Sequence, residues 1–206
     1  VKSLKSMMSL LAVSLVILGT SACGDDEAVT PSLIGFRPTA EQRVDGAGMP
    51  DASNDDEVFE FRADADGLLV VSFGYTSCPD ICPTTLAALR GALKQLGDDA
   101  ERVDVAMATV DPARDDGDTL TGYVQSFVEG AHSLRTDDVA LLREVTDSFG
   151  VSFGVETNDQ GQVEVSHSSL LYVVGEDGLM KLSWPFGTNS TDMASDLRVL
   201  LGEAAA

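Results

Sequence analysis

The strongest constraint on the fold is an unbroken apolar run, Leu68 to Tyr75 (LLVVSFGY), that ends in a loop carrying Cys78-Pro-Asp-Ile-Cys82-Pro83. A short run with no polar alternation, preceded by Asp66-Gly67 and rich in β-branched and aromatic residues, predicts a strand buried on both faces. Beyond the loop, Leu86, Leu89, Leu93 and Leu96 recur at three- and four-residue spacing, which predicts a helix over 84–96 with one apolar face. Pro83 suits its first turn, where no amide donor is needed. The two cysteines therefore sit between a core strand and its helix.

The rest of the chain repeats that alternation. Residues 102–110 (RVDVAMATV) read as a second strand and 115–128 as a helix carrying Leu120, Tyr123, Val124 and Phe127. A short strand near His132 to Leu134 and a helix over 137–149 follow. Residues 168–174 and 179–184 read as strands joined by Gly175-Glu-Asp-Gly178, a hairpin signal, and a last helix covers 191–201. Alternating strands and helices closed by a hairpin and a helix imply an α/β protein with a central mixed β-sheet flanked by helices. With a cysteine pair between the first core strand and its helix, the pattern resembles the thioredoxin fold.

At 206 residues and 44% apolar, the chain suits one domain plus a tail. Residues 1–22 read as an export signal: Lys2 and Lys5, an apolar stretch from Leu10 to Leu18, then Gly19-Thr-Ser-Ala22. Cys23 follows directly, resembling the lipobox of bacterial lipoproteins, so lipidation of Cys23 is expected; a stray thiol beside an ordinary cleavage site is the bland alternative. Residues 23–57 are acidic, proline- and glycine-containing and aperiodic, and read as a flexible tether and lead-in to a domain over 58–203. Without Lys2 and Lys5, 13 − 2 basic residues against 34 acidic ones leave a formal charge of −23. Such a chain repels nucleic acid and anionic lipid. It also fits a protein working in high salt, where self-repulsion is screened.

With Cys23 assigned to lipid, Cys78 and Cys82 act alone, which excludes a multi-disulfide scaffold. Thiolates are soft ligands for Cu(I), zinc or iron–sulfur clusters and also the nucleophiles of disulfide exchange. Pro79 and Pro83 bias both cysteines to a constrained loop ahead of the helix, whose N-terminus would lower both thiol pKa values. Three residues separate the sulfurs, where the usual oxidoreductase signature has two. A third ligand is then worth seeking, and the only histidines are His132 and His167. Both have a bland reading: His132 as a locally bonded residue at a helix-to-strand turn, His167 as a structural residue opening a strand. Met107, Met180 and Met193 sit at core spacing, and Asp80 reads as a solvated loop carboxylate.

Three motifs together resemble the Sco/SenC family of copper-delivery proteins: FGYTSCPDICPTTL over 73–86, Thr109-Val-Asp-Pro-Ala-Arg-Asp115, and His167 ahead of Leu-Leu-Tyr-Val-Val. The resemblance implies a thioredoxin-like domain tethered on the outer face of the bacterial cytoplasmic membrane. It implies copper, as Cu(I) or Cu(II), held by Cys78, Cys82 and His167. It further implies delivery to the dinuclear copper centre of cytochrome c oxidase, with the copper-accepting oxidase subunit and other copper chaperones as partners. Ser166 departs from the family, which commonly has an acidic residue beside the ligand histidine. Two thiolates and one imidazole form a low-coordinate soft site, open to ligand exchange. The expected class is a metal-binding and transfer protein rather than an enzyme. The alternative is a thiol–disulfide oxidoreductase using Cys78 and Cys82 to reduce an oxidase subunit. A peroxidase needs a cation beside the reactive thiol, and the nearest arginine in sequence is Arg90.

Overall fold

The computed structural model describes residues 32–205; the expected export signal and Cys23 lie outside them. The apolar run forms β3 (Leu68–Gly74), buried at every position. Leu68 and Val70 face one core cluster and Leu69, Val71 and Phe73 the other. That is the reason the run lacks polar alternation. β4 (Val103–Thr109) lies parallel to it, from Leu68 opposite Val103 to Gly74 opposite Thr109.

On the other side β8 (Leu170–Gly175) runs antiparallel to β3 and pairs with β9 (Met180–Pro185). Beyond β4 come β5 (His132–Leu134), β1 (Met49–Asp51) and β2 (Glu57–Phe59), giving the order β2-β1-β5-β4-β3-β8-β9. The sheet is mixed, as expected. One face is covered by α1 (Ile81–Leu96), α2 (Gly117–Gln125) and α4 (Ser190–Ala204), which supply Leu86, Leu120 and Leu197 to the first cluster. The other is covered by α3 (Val139–Phe149), through Leu142, Val145 and Phe149.

Capping differs between the helices. Asp116, Asp138 and Asn189 cap α2, α3 and α4 by accepting amide hydrogen bonds. Asp80 at the head of α1 makes no such bond. A helix start leaves several amides unpaired, and here the Cys82 amide donates to Cys78 Sγ at 3.4 Å. The first turn of α1 is thereby left to the sulfurs.

Three features depart from the sequence reading. First, α1 begins at Ile81, so Cys82 lies inside its first turn and only Cys78 is on the loop ahead of it. Pro83 is the third helical residue, still among those needing no amide donor. Second, residues 153–167 form a separate two-stranded ribbon, β6 (Phe153–Thr157) against β7 (Val163–His167). His167 closes β7 instead of opening β8, because Phe153 opposite His167 starts the ribbon's register. Third, the stretch before residue 58 contains β1 and the first residue of β2, and its earlier part is held to the domain. The buried Asp196 carboxylate accepts the amides of Ile34 and Gly35 at 2.9 Å each and Trp184 Nε1 at 2.8 Å. Phe36 and Ser183 exchange two backbone hydrogen bonds. Three-residue strands and single bridges carry too little periodicity to read from sequence.

Candidate metal centre

Cys78, Cys82 and His167 come together: one donor atom from each lies within 4.8 Å of the others. Both cysteines are free and buried, and His167 is half-buried. The sulfurs are placed by the β3–α1 turn, where the Cys78 amide donates to the Tyr75 carbonyl at 3.2 Å and the Thr84 amide to the Asp80 carbonyl at 3.2 Å. Glycine is required at position 74. A β-carbon there would stand 2.7 Å from Cys82 Sγ and 3.0 Å from Met107 Cε. Met107 therefore packs beside the Cys82 sulfur from within the core, while Met180 and Met193 are core residues away from the site, as their spacing implied.

His167 arrives from the ribbon. Its Nδ1 lies 2.9 Å from the Ser168 carbonyl, which only accepts, so Nδ1 carries the proton. The Nε2 lone pair is left facing Cys82 Sγ at 3.9 Å. A neutral imidazole with one nitrogen pinned by a carbonyl and the other free is the form that ligates metals. Among the described residues no other group of three such side chains converges. His132 does not join: its Nδ1 donates to Asp51 at 2.6 Å and its ring lies 4.5 Å from Phe59. His132 is a structural residue, but its partner is a distant one on β1 rather than the solvent or local group expected.

The two thiols differ in electrostatics. Burial raises the pKa of Cys78, but hydrogen bonds from the Cys82 amide and thiol and from the Asp80 and Ile81 amides outweigh it and leave the thiol below its ordinary value. Burial pushes Cys82 up to about 12; the Tyr75 amide opposes this, while neighbouring Cys78 and Asp115 add to it. The expected lowering by the helix N-terminus thus holds for Cys78 and fails for Cys82, whose desolvation dominates. A metal cation would reverse that balance by favouring both thiolates. The donor set, two sulfurs and one imidazole with no fourth cysteine, histidine or carboxylate among the described residues, suits a soft, low-coordinate ion.

A third strand end completes the site, and the sequence reading did not assign it. Asp115, fully buried, accepts from the Thr76 amide at 3.0 Å, from the Thr76 hydroxyl, and from Thr109 Oγ1 at 2.6 Å. It thereby ties the cysteine loop to the end of β4. Asp111, also buried, pairs with Arg114 Nε, and the Arg114 guanidinium carbon lies 5.7 Å from the centroid of the Tyr75 ring. Arg135 holds the loop from outside through the carbonyls of Pro112 and Asp115. Arg114, not Arg90, is thus the arginine beside the cysteine loop. The usable signal was topological: parallel strands end on the same side, so the loops after β3 and β4 adjoin. Asp80 is exposed, as expected.

A thioredoxin-like sheet presenting two thiols and an imidazole at the end of its central strand defines a thiol-based metal or redox protein. Residues 53–202 match the SCO1/SenC family profile, and the chain belongs to that family. It is similar to the mitochondrial SCO2 homolog of Homo sapiens, 36% identical over 124 residues, 57% of this chain and 46% of that protein. Apo Sco1 of Thermus thermophilus superposes with a TM-score of 0.69 at 27% identity, covering 82% of this chain and 96% of that one. Bradyrhizobium japonicum ScoI, solved with copper bound, shares the fold at a TM-score of 0.64 and 24% identity, covering 81% and 98%. The chain spans about half the length of the curated relatives it matches.

Proposed function

We propose that this protein binds copper through Cys78, Cys82 and His167 and delivers it to the dinuclear copper centre of cytochrome c oxidase. The carrying observation is the convergence of these three donor atoms within 4.8 Å, with His167 in the ligating tautomer. Membership of a family whose relatives include copper-bound ScoI supports the choice of metal. The role follows from the coordination: three ligands hold Cu(I) while leaving a direction from which a recipient's ligand attacks. The recipient is then a copper-accepting oxidase subunit, and the protein acts as a transfer protein rather than an enzyme.

Its working place is the outer face of the cytoplasmic membrane, reached by export and held by lipid on Cys23. The signal-like residues 1–22 motivate this, and no helix among the described residues is long and apolar enough to cross a membrane. The ordered domain, 58–203 with its bound lead-in, would stand off the membrane on the chain after Cys23. Mass spectrometry of the native protein decides the anchor: an unmodified Cys23 would sink it.

The deciding experiment is Cu(I) uptake by the reduced full chain, compared with Cys78→Ser, Cys82→Ser and His167→Ala. One equivalent is expected, lost in either cysteine variant and weakened in His167→Ala. No uptake, or unchanged affinity in His167→Ala, would refute the reading. A second reading, thiol–disulfide exchange, draws on the asymmetry of the pair: Cys78 is the readily ionised nucleophile and Cys82 the protonated partner. Reductase turnover that survives in His167→Ala would favour it.

A further inference from the structure

Resting on the copper reading, we infer that Arg114, fixed by the buried carboxylate of Asp111, is a positioning residue for His167 and acts on it through the Tyr75 ring. The need for such a residue comes from the ribbon. β6 and β7 pair only with each other, and most of their residues are exposed. Phe153 and Val165 tie the ribbon to the second core cluster, and the imidazole itself meets the main-sheet domain through a side-chain contact. Tyr75 supplies it: its ring centroid lies 5.9 Å from that of His167, with the planes at 89°. Edge-to-face packing of this kind fixes ring orientation, because the positive edge of one ring prefers the negative face of the other.

Tyr75 is in turn held by Arg114, whose guanidinium carbon is 5.7 Å from its ring centroid. A guanidinium over an aromatic ring is attracted by the ring's quadrupole, and its planar fork is pre-organised for a carboxylate partner. Arg114 has that partner in Asp111, which is 2% exposed. The Asp111 carbonyl accepts the Arg114 and Asp115 amides at 3.1 Å each, closing the turn that aims the arginine. The motif Thr109 to Asp115 thus braces both halves of the ligand set. Asp115 holds the cysteine loop through Thr76, and Asp111 reaches the imidazole through Arg114 and Tyr75.

Outer partners of a metal-ligating histidine are worth about 10–100-fold in metal affinity. Cu(I) affinity is measured by chelator competition on the full chain for Arg114→Ala, Tyr75→Leu and Tyr75→Phe, each with His167 intact and in a His167→Ala background. Arg114→Ala against the parent, and Tyr75→Leu against Tyr75→Phe, should weaken binding about 10-fold with His167 intact and leave it unchanged without it. Tyr75→Phe is the reference for Tyr75→Leu because it keeps the ring and removes only the hydroxyl, which interacts with the Cys78 thiol; any loss it causes should be the same with and without His167. For either comparison, an equal loss in both backgrounds, or none in either, overturns the inference. Should the parent bind no copper, the functional reading fails on its own. The inference is then decided on the metal-free protein by nuclear Overhauser contacts between the Tyr75 and His167 rings. They should be present in the parent and lost in Arg114→Ala; their persistence in that variant would overturn it.

Discussion

The cysteine half of the site and the histidine half are built on opposite principles. Cys82 extends from a helix packed on a strand buried at every position, so its sulfur is set by core packing. His167 stands at the end of a ribbon whose Val155 and Val163 are 45% and 38% exposed. There, position is set by a few directional contacts: the Ser168 carbonyl, the Tyr75 ring and the register with Phe153. On the proposed copper reading, two donors anchored in the core and one at the periphery would separate holding the metal from releasing it.

The contrast breaks most visibly in stability. Phe73 is 3% exposed and packs its ring 5.1 Å from Phe149 and 6.0 Å from Tyr172. Phe73→Ala should cost about 3–5 kcal/mol in urea unfolding, because a cavity is added to the lost transfer energy. Val155→Ser on the ribbon should change stability by no more than about 0.5 kcal/mol. Comparable losses at the two positions would show that the ribbon belongs to the same cooperative core.

Gly74→Ala sharpens the comparison at the cysteine side. The added methyl would meet Cys82 Sγ at 2.7 Å and Met107 Cε at 3.0 Å, so the sulfur has to shift to admit it. Overpacking of this kind costs about 1–3 kcal/mol and should displace the sulfur. The copper charge-transfer spectrum should shift along with the unfolding midpoint. A spectrum unchanged from the parent would mean that the ligand set tolerates movement of Cys82.

Which parts were legible follows from the same division. β3, α1 and the four-helix, mixed-sheet plan were readable because burial writes itself into local periodicity, as the leucine spacing from Leu86 to Leu96 shows. Cys78, Cys82 and His167 were found, the last only through family resemblance, since nothing local distinguishes a ligand histidine at a strand end from a structural one. The ribbon was missed although Phe153, Val155, Val163 and Val165 fall on alternate positions, because two five-residue runs with mostly exposed side chains carry only a weak period. Asp111, Arg114 and Asp115 were visible as a motif, but their roles required knowing that β3 and β4 are parallel and in register at Gly74 and Thr109. The rise at Cys82 was not foreseen because the sequence does not reveal that it lies within the helix, against Met107.

The two thiols offer a test inside the cysteine half itself. With Cys78 below its ordinary value of about 8.5 and Cys82 at about 12, iodoacetamide should alkylate Cys78 at least about 10-fold faster at pH 8 in the reduced metal-free protein. As pH rises from 7 to 10 the Cys78 rate should level off while the Cys82 rate keeps climbing. Peptide mass spectrometry reads both. Equal rates would remove the nucleophile–partner asymmetry on which the redox reading draws.

A smaller effect than those in the core lies toward the β2 side of the sheet, where Asp51 joins β1 to β5. Burial raises its pKa, but the Ser53 hydroxyl, His132, and the Ser53 and Ser133 amides together outweigh this and hold the carboxyl below its usual range. A depressed folded-state pKa means that the stabilisation is fully present above the unfolded value of about 3.9 and disappears as pH falls through the folded value. Asp51→Asn keeps the shape and one acceptor oxygen but removes the charge, so it should cost about 1 kcal/mol at pH 7. The gap between the parent and the variant should narrow below about pH 4. Paired urea titrations at pH 7 and pH 3 measure it, and a gap independent of pH would show that packing, not the ionised carboxylate, joins these strands. Copper affinity should be unchanged in Asp51→Asn, because the Asp51 carboxylate bonds Ser53, His132 and Ser133 and none of the three proposed ligands.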